Sequence, residues 1–360
     1  MNRAAVYAPR TFLVPAWPEP RPRQSMNIVS AMVTHRELGR GERVLPGLWR
    51  LRLPLPWPGV PHCNAWAIAA GAGVVLIDTG MHEPGSLAQL ERAMDQVNLR
   101  LEHVQLLACT HAHSDHWGQA APIRDRAGCE FWMHPHHEHT GDDASSRARG
   151  LARRLEVARQ CGVSESTLDT YAEQIRNMPS GIARAIEPDR DLVAGVKIET
   201  DLGTWTVHET PGHAPSHVCL YQPERRLLIS GDHLLGRISL FFEHGHSPDP
   251  VAEFLASLDR VQELGARLAL SGHGKPFLDV PGHIEANRRL VAEHLAATEA
   301  ALGGSPRTAV EVAPAVFGER LGFHNGNWLL SQTLCYLEHL ERAGRARRGQ
   351  DGDVERWTAA

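Results

Sequence analysis

Thr110-His111-Ala112-His113-Ser114-Asp115-His116 places four side chains able to ligate a cation within six residues, directly after the apolar run at 104–109. That run is short and continuous, and it reads as a buried strand. The end of a strand hands its next side chains to a pocket. His111 and His113, two apart, project to the same side of an extended chain, while Asp115 and His116 follow on the turn and can face a neighbouring ion. Imidazole nitrogen and carboxylate oxygen both suit zinc, so one short loop can serve two metals. Histidine-rich surface loops also arise by chance, and the decision falls to the rest of the chain.

Three more segments repeat the arrangement. Thr210-Pro211-Gly212-His213 follows an expected strand at 205–209, Ser230-Gly231-Asp232-His233 follows one at 227–229, and Ser271-Gly272-His273-Gly274 follows one at 268–270. Each ligand-type residue therefore stands just past a strand, as in the first motif.

With these residues in place, the chain resembles the metallo-β-lactamase superfamily through HxHxDH at 111–116, His213, Asp232 and His273, over roughly 45–275. The resemblance implies an α/β fold, an αββα sandwich. It also implies His111, His113 and His213 on one metal, Asp115, His116 and His273 on a second, and Asp232 bridging both. Two Zn2+ per chain are the implied cofactor, other divalent metals being acceptable. Asp78, in the Ile-Asp-Thr-Gly turn, is implied to orient the ligands from behind, as carboxylates do when they fix an imidazole tautomer. The C-terminal region is similar to the winged-helix-like appendage of a glyoxalase II-like subgroup that includes β-lactamase-like protein 2, an endoribonuclease.

The chemistry of such a pair is direct. Two metals about 3.5–4 Å apart share a water, lower its pKa and aim the hydroxide at a carbonyl carbon or a phosphorus. Asp115 is the candidate to return a proton to the leaving group, and Asp232 completes the catalytic pair. Ser114 and Ser216 stand in no serine-hydrolase context. Phe241 and His244, in the stretch after Asp232, are the candidate substrate contacts. His233 is expected to pack, and His134, His136, His137 and His139 read as a solvated loop. Trp328 and Leu334, at helical spacing, read as core of the C-terminal region.

Composition narrows the partners. Twenty-two histidines in 360 residues is a high proportion for a residue that is the commonest metal ligand. A net charge of −5 offers no broad basic face for a polyphosphate, and the local cluster Arg342, Arg345, Arg347, Arg348 reads as a solvated helix end. Six scattered cysteines without a CxxC pair point to a reduced, cytoplasmic protein. No apolar run is long enough for a membrane span.

Along the chain, residues 1–42 are rich in proline and arginine and read as a disordered extension. A metallo-β-lactamase domain is expected over 43–280, with a helical insertion at about 136–190 carrying helices at 144–161 and 166–177. Residues 281–360 are expected to form a winged-helix-like domain of three helices and a hairpin. Strands are expected at 44–55, 64–69, 74–77, 131–133, 192–199 and 218–222, besides those named above, with helices at 87–97, 118–127 and 251–264.

The function expected is hydrolysis of an ester, thioester or lactone of a small acyl molecule. Two others are weighed: a phosphodiesterase or endoribonuclease, opposed by the acidic surface, and a persulfide dioxygenase-like enzyme with one iron, which would have no use for Asp115, His116 and His273.

Overall fold

Period-two alternation builds the first sheet. The computed structural model describes residues 38–57, 59–137, 144–318 and 326–360, so the expected extension falls, up to residue 37, outside the described residues. Strands β1 (Arg40–Leu45), β2 (Leu48–Trp57), β3 (Val60–Ala70), β4 (Gly73–Ile77), β5 (Val104–Ala108), β6 (Glu130–Met133) and β7 (Arg190–Asp191) pair in chain order. The first four are an antiparallel meander and the last four run parallel. Parallel pairing needs a crossover long enough to return the chain, usually helical. Here the crossovers are α1 (Ser86–Asp95), then α2 (Ser114–Trp117) with α3 (Ala120–Ala127), then α4 (Ala144–Gln160) with α5 (Glu165–Asn177).

Along β2 and β3, Leu51, Leu53, Cys63, Ala65 and Ala67 face the helices, with Leu90, Met94 and Ile123 packed against them. Leu48, Trp66 and Ile68 face the other way. There they meet the second sheet, β12 (Leu268–Ser271), β11 (Leu227–Gly231), β10 (Val218–Gln222), β9 (Gly203–Glu209) and β8 (Lys197–Thr200), through Trp205, Val207, Leu220 and Ile229. The outer face of that sheet, through Cys219, Leu228 and Ala269, is covered by Phe254, Leu258 and Val261 of α6 (Pro250–Leu264). The layers are therefore helix, sheet, sheet, helix, the αββα order the resemblance implies.

Beyond β12 come α7 (Val280–Ala301), α8 (Ala309–Phe317), α9 (Gly326–Arg342) and the hairpin β13 (Ala346–Asp351) with β14 (Val354–Ala359). Their apolar residues, from Val280 to Trp357, belong to the same buried cluster as α6, and Cys161 at the end of α4 joins them. Residues Glu37–Ala360 thus form one compact unit. The six cysteines are free and buried. Among the described residues no helix is long and apolar enough to cross a membrane.

Four expectations are corrected. The stretch 44–55 is two strands with a reversal at Gly47, whose φ of 80° suits glycine, and β1 begins at Arg40, inside the stretch read as disordered. The stretch 192–199 is no single strand. After β7 the chain leaves the first sheet, turns at Gly195 (φ 85°) and opens the second sheet at β8. An apolar pattern interrupted by one glycine marks this crossing between sheets, which periodicity alone does not separate from a bulge. Finally, Trp328 is 42% exposed, whereas Leu334 is buried as expected.

Candidate metal centre

Strands β5, β9, β11 and β12 deliver their following residues to one rim. The ligand loops are tied there by backbone hydrogen bonds: Val218 N–H donates to Thr110 O (2.8 Å), Gly272 N–H to Gly231 O (2.7 Å), and Asn64 N–H of β3 to Gly272 O (2.7 Å). On this rim all seven ligand candidates converge. Ligand atoms of His111, His113 and His213 lie within 4.8 Å of one another, as do those of Asp115, His116 and His273, and those of His111, His116 and Asp232. Asp232 lies between the groups, with Oδ1 3.4 Å from His116 Nε2 and Oδ2 3.1 Å from His273 Nε2 and 3.7 Å from His213 Nε2.

Each of the five imidazoles has its outward nitrogen beside an acceptor. His111 Nδ1 meets Thr110 Oγ1 (3.0 Å), His116 Nδ1 meets Asp78 Oδ2 (2.9 Å), His213 Nδ1 meets Phe241 O (3.2 Å), His273 Nδ1 meets His62 O (2.9 Å), and His113 Nε2 meets Glu243 Oε2 (3.4 Å). An N–H on each outward nitrogen satisfies these acceptors and assigns the tautomers. At His111, His113 and His213 the inward nitrogens then carry lone pairs aimed at the centre. His113 Nδ1 lies 3.0 Å from both His111 Nε2 and His213 Nε2, a repulsive contact unless a cation lies among them. Buried His116 Nε2 and Asp232 Oδ1 have no hydrogen-bond partner, and burying polar atoms in that state costs about 1–3 kcal/mol each. The donor set therefore fits divalent metal.

Electrostatics distinguish the two groups. Burial, reinforced by neighbouring imidazoles, holds His111 well below its ordinary pKa and pushes His213 down to about 3. Both are neutral at physiological pH, the form that ligates. At the other group, burial also opposes charge, but Asp232 and Asp115 outweigh it: His116 is held well above its ordinary value and His273 is raised to about 10. Asp232, buried at some cost, is held well below the carboxylate range by His273 and His116.

Asp78 lies behind His116, in contact with its Nδ1. Its backbone is left-handed (φ 65°), and its buried carboxylate takes Thr110 N–H (2.7 Å), the Thr110 hydroxyl (3.0 Å) and His116 Nδ1–H. Asn tolerates the same backbone, so Asp78→Asn is expected to fold while weakening retention of the ion beside His116 about 10–100-fold, read by chelator competition. Unchanged retention would remove Asp78 from this role.

Phe241 borders the site, its ring 5.6 Å from that of His213 and 5.9 Å from that of His113. His244 does not. It turns to α9, its Nε2 3.2 Å from Glu338 Oε1 and its N–H donating to Ser331 Oγ (2.9 Å). A histidine three residues from Phe241 carried no sign of which side it would face. His233 packs on Phe254, as expected. His134 sits 3.0 Å from Glu209 Oε1 rather than in solvent, and His139 lies outside the described residues.

Several supporting residues left weaker signals. His217 accepts Asp232 N–H at Nε2 (3.1 Å) and holds Thr210 Oγ1 at Nδ1 (2.8 Å), and its position four residues after His213 was a usable hint. Arg50, buried in β2, donates to Asn64 Oδ1 (2.8 Å), Glu42 Oε1 (2.6 Å) and Gly274 O. Asn64 donates in turn to Ser271 O (2.8 Å) and Gly274 O (3.0 Å), which braces the His273 loop.

Comparison with known proteins accords with this geometry. The sequence profile of the metallo-β-lactamase superfamily matches residues 58–273, and the chain belongs to that superfamily. It is 25% identical over 285 residues to a probable metallo-hydrolase, YqjP, of Bacillus subtilis, a match covering 76% of this chain and 86% of that protein. It is also 25% identical over 230 residues to an atrochrysone carboxyl ACP thioesterase of Claviceps purpurea, covering 63% of this chain and spanning 56% of that protein's length. Among solved structures, the metallo-β-lactamase family protein TTHA1429 of Thermus thermophilus superposes with a TM-score of 0.75 at 27% identity, over 88% of this chain and all of the other. Fold and family together make the chain a metal-dependent hydrolase.

Proposed function

We propose that this hydrolase works with two divalent ions, zinc by preference, on esters, thioesters or lactones of small acyl molecules. The observation that carries the reading is the set of inward lone pairs at 3.0 Å together with the unpartnered His116 Nε2 and Asp232 Oδ1. His111, His113 and His213 would hold one ion, Asp115, His116 and His273 the other, and Asp232 both. Bound there, the ions would supply an acidified water and a Lewis acid for the scissile oxygen.

The protein's own part is positioning and proton handling. Asp115 Oδ2 lies 3.2 Å from His273 Nε2 and 3.5 Å from His116 Nε2. Burial raises its pKa, but His116 and His273 prevail and hold it below the ordinary value. It is therefore ionised at neutral pH and placed to take a proton and return it to the leaving alkoxide or thiolate. Phe241 gives the site an apolar border that suits an acyl group.

The thioesterase-named relative supports the acyl class. Against a phosphodiester, three of the four clustered C-terminal arginines are engaged elsewhere: Arg345 pairs with Glu299, Arg348 with Glu341 and Glu355, and Arg342 donates to Pro248 O. The test is metal analysis of the purified protein followed by activity panels of thioesters, lactones and phosphodiesters. About two ions per chain and acyl hydrolysis lost to chelator and restored by zinc are expected. A single iron, or cleavage confined to phosphodiesters, would refute the reading.

A further inference from the structure

From Phe241 an aromatic line runs outward. The Trp328 ring lies 6.4 Å from that of Phe241, and the Trp57 ring lies 6.0 Å from Trp328 at an interplanar angle of 78°. The three rings come from three parts of the chain: the loop after Asp232, the first turns of α9, and the end of β2. Each part is also tied to the metal centre. Phe241 O accepts from His213 Nδ1–H, and the β3 strand paired with β2 supplies His62 O to His273. Helix α9 grips the Phe241 loop, with Ser331 Oγ donating to Phe242 O (2.9 Å) and Gln332 Nε2 to Leu240 O (2.8 Å).

Trp328 is 42% exposed although its neighbours Leu330 and Leu334 are buried. The ring line from His213 through Phe241 to Trp328, held by a braced helix, extends the apolar border of the metal centre outward to a partly exposed ring. Edge-to-face rings with centroids about 4.5–7 Å apart present both faces and edges, which suits an inserted ring.

We propose that Trp328, with Phe241 and Trp57, forms the subsite for the acyl part of the substrate, and that this acyl part carries an aromatic ring. The C-terminal region thereby contributes directly to substrate selection. The proposal rests on the acyl-hydrolase reading given above. Trp328 acts on specificity and takes no part in bond breaking, so its effect follows the size of the acyl group.

The test uses the full zinc-loaded chain and its Trp328→Ala and Trp328→Phe variants, with phenylacetyl and acetyl thioesters of one thiol. Trp328→Ala is expected to lose about tenfold or more in kcat/KM on the phenylacetyl thioester, chiefly in KM, as removal of a large apolar contact predicts. The loss on the acetyl thioester should be at least about fivefold smaller, and Trp328→Phe should restore most of the difference. Equal losses on both thioesters, with a lowered Tm, would assign Trp328 to docking α9 against β2 and overturn the proposal. So would no loss on either.

Should the parent protein cleave neither thioester, the acyl-hydrolase reading has failed and the subsite is judged by binding alone. Calorimetry with phenylacetate and acetate should then show phenylacetate preferred by the parent and the preference lost in Trp328→Ala. Equal affinities in the parent would overturn the subsite as well.

Discussion

Asp232→Ala is expected to abolish hydrolysis, lowering kcat/KM by about a thousandfold or more, on the order of 4 kcal/mol of barrier. Among the described residues Asp232 is the carboxylate seen against imidazoles of both groups, facing His116 and His213 as well as His273. Its removal leaves His116 and His273 without the neighbour that contributes most to holding them charged in the absence of metal, and on the two-ion proposal it would deprive both ions of a shared anionic ligand. Metal content should fall from about two ions to one or fewer per chain, with zinc bound as a tetrahedral complex of fewer protein donors. Asp232→Asn, which keeps one acceptor oxygen but no charge, should lie between the two. Full metal content with activity within tenfold of the parent would refute the bridging role proposed for Asp232.

The second large effect is expected from a single methyl group. A Cβ added at Gly272 would lie 2.1 Å from Asp232 Oδ1 and 2.7 Å from His116 Cε1. Both atoms belong to candidate ligand side chains, so any withdrawal itself moves a ligand. Asp232 is fixed through its backbone by His217, and His116 through Nδ1 by Asp78. Gly272→Ala should therefore displace one ligand from each group by a few tenths of an ångström or more, and misplacement near 1 Å costs about a hundredfold in rate. Loss of metal and of activity with an unchanged circular dichroism spectrum is the expected result. Gly150→Ala on α4, where an added methyl meets nothing within 4 Å, serves as the control. Parent-like kinetics in Gly272→Ala would mean the rim is far softer than its hydrogen bonds indicate.

The convergence of the seven ligand candidates was legible because two local signals coincide: residue types that bind cations, and positions just past short apolar strands. Both survive in a bare sequence. What supports the ligands was far less legible. His273 is oriented by the carbonyl of His62, and His213 by that of Phe241; a backbone acceptor is the same for every residue type and leaves no trace in composition. Arg50 reads as a surface charge on an alternating strand until its partners Asn64, Glu42 and Gly274 are in place.

Trp328 shows a different limit. Helical spacing identifies residues on one face of α9, but a face that lines a substrate path has the same period as one that enters a core. Likewise the crossing at Gly195 looks like one strand because apolar residues continue on both sides of it. The region around 241–246 was recognised as bordering the site, yet the side chain nearest His113 in it, besides Phe241, is Glu243 and not His244. Single-residue facing in an irregular loop is set by tertiary contacts that no local pattern records.

The backbone bonds that join Thr110 to Val218, Gly231 to Gly272 and Gly272 to Asn64 have a thermodynamic consequence. They tie the ligand loops to one another through the backbone, so part of the entropy of organising the receptor is expected to be met during folding and not at metal capture. Binding free energy is then available as affinity, unlike in small domains where it is consumed in ordering the chain. Stripping the metal should lower Tm by the linkage amount, about 2.7 kcal/mol of stability for an ion present at 100 times its Kd. Amide hydrogen exchange in β5, β9, β11 and β12 should stay slow throughout, the behaviour of a preformed cage that exchanges its ions without unfolding.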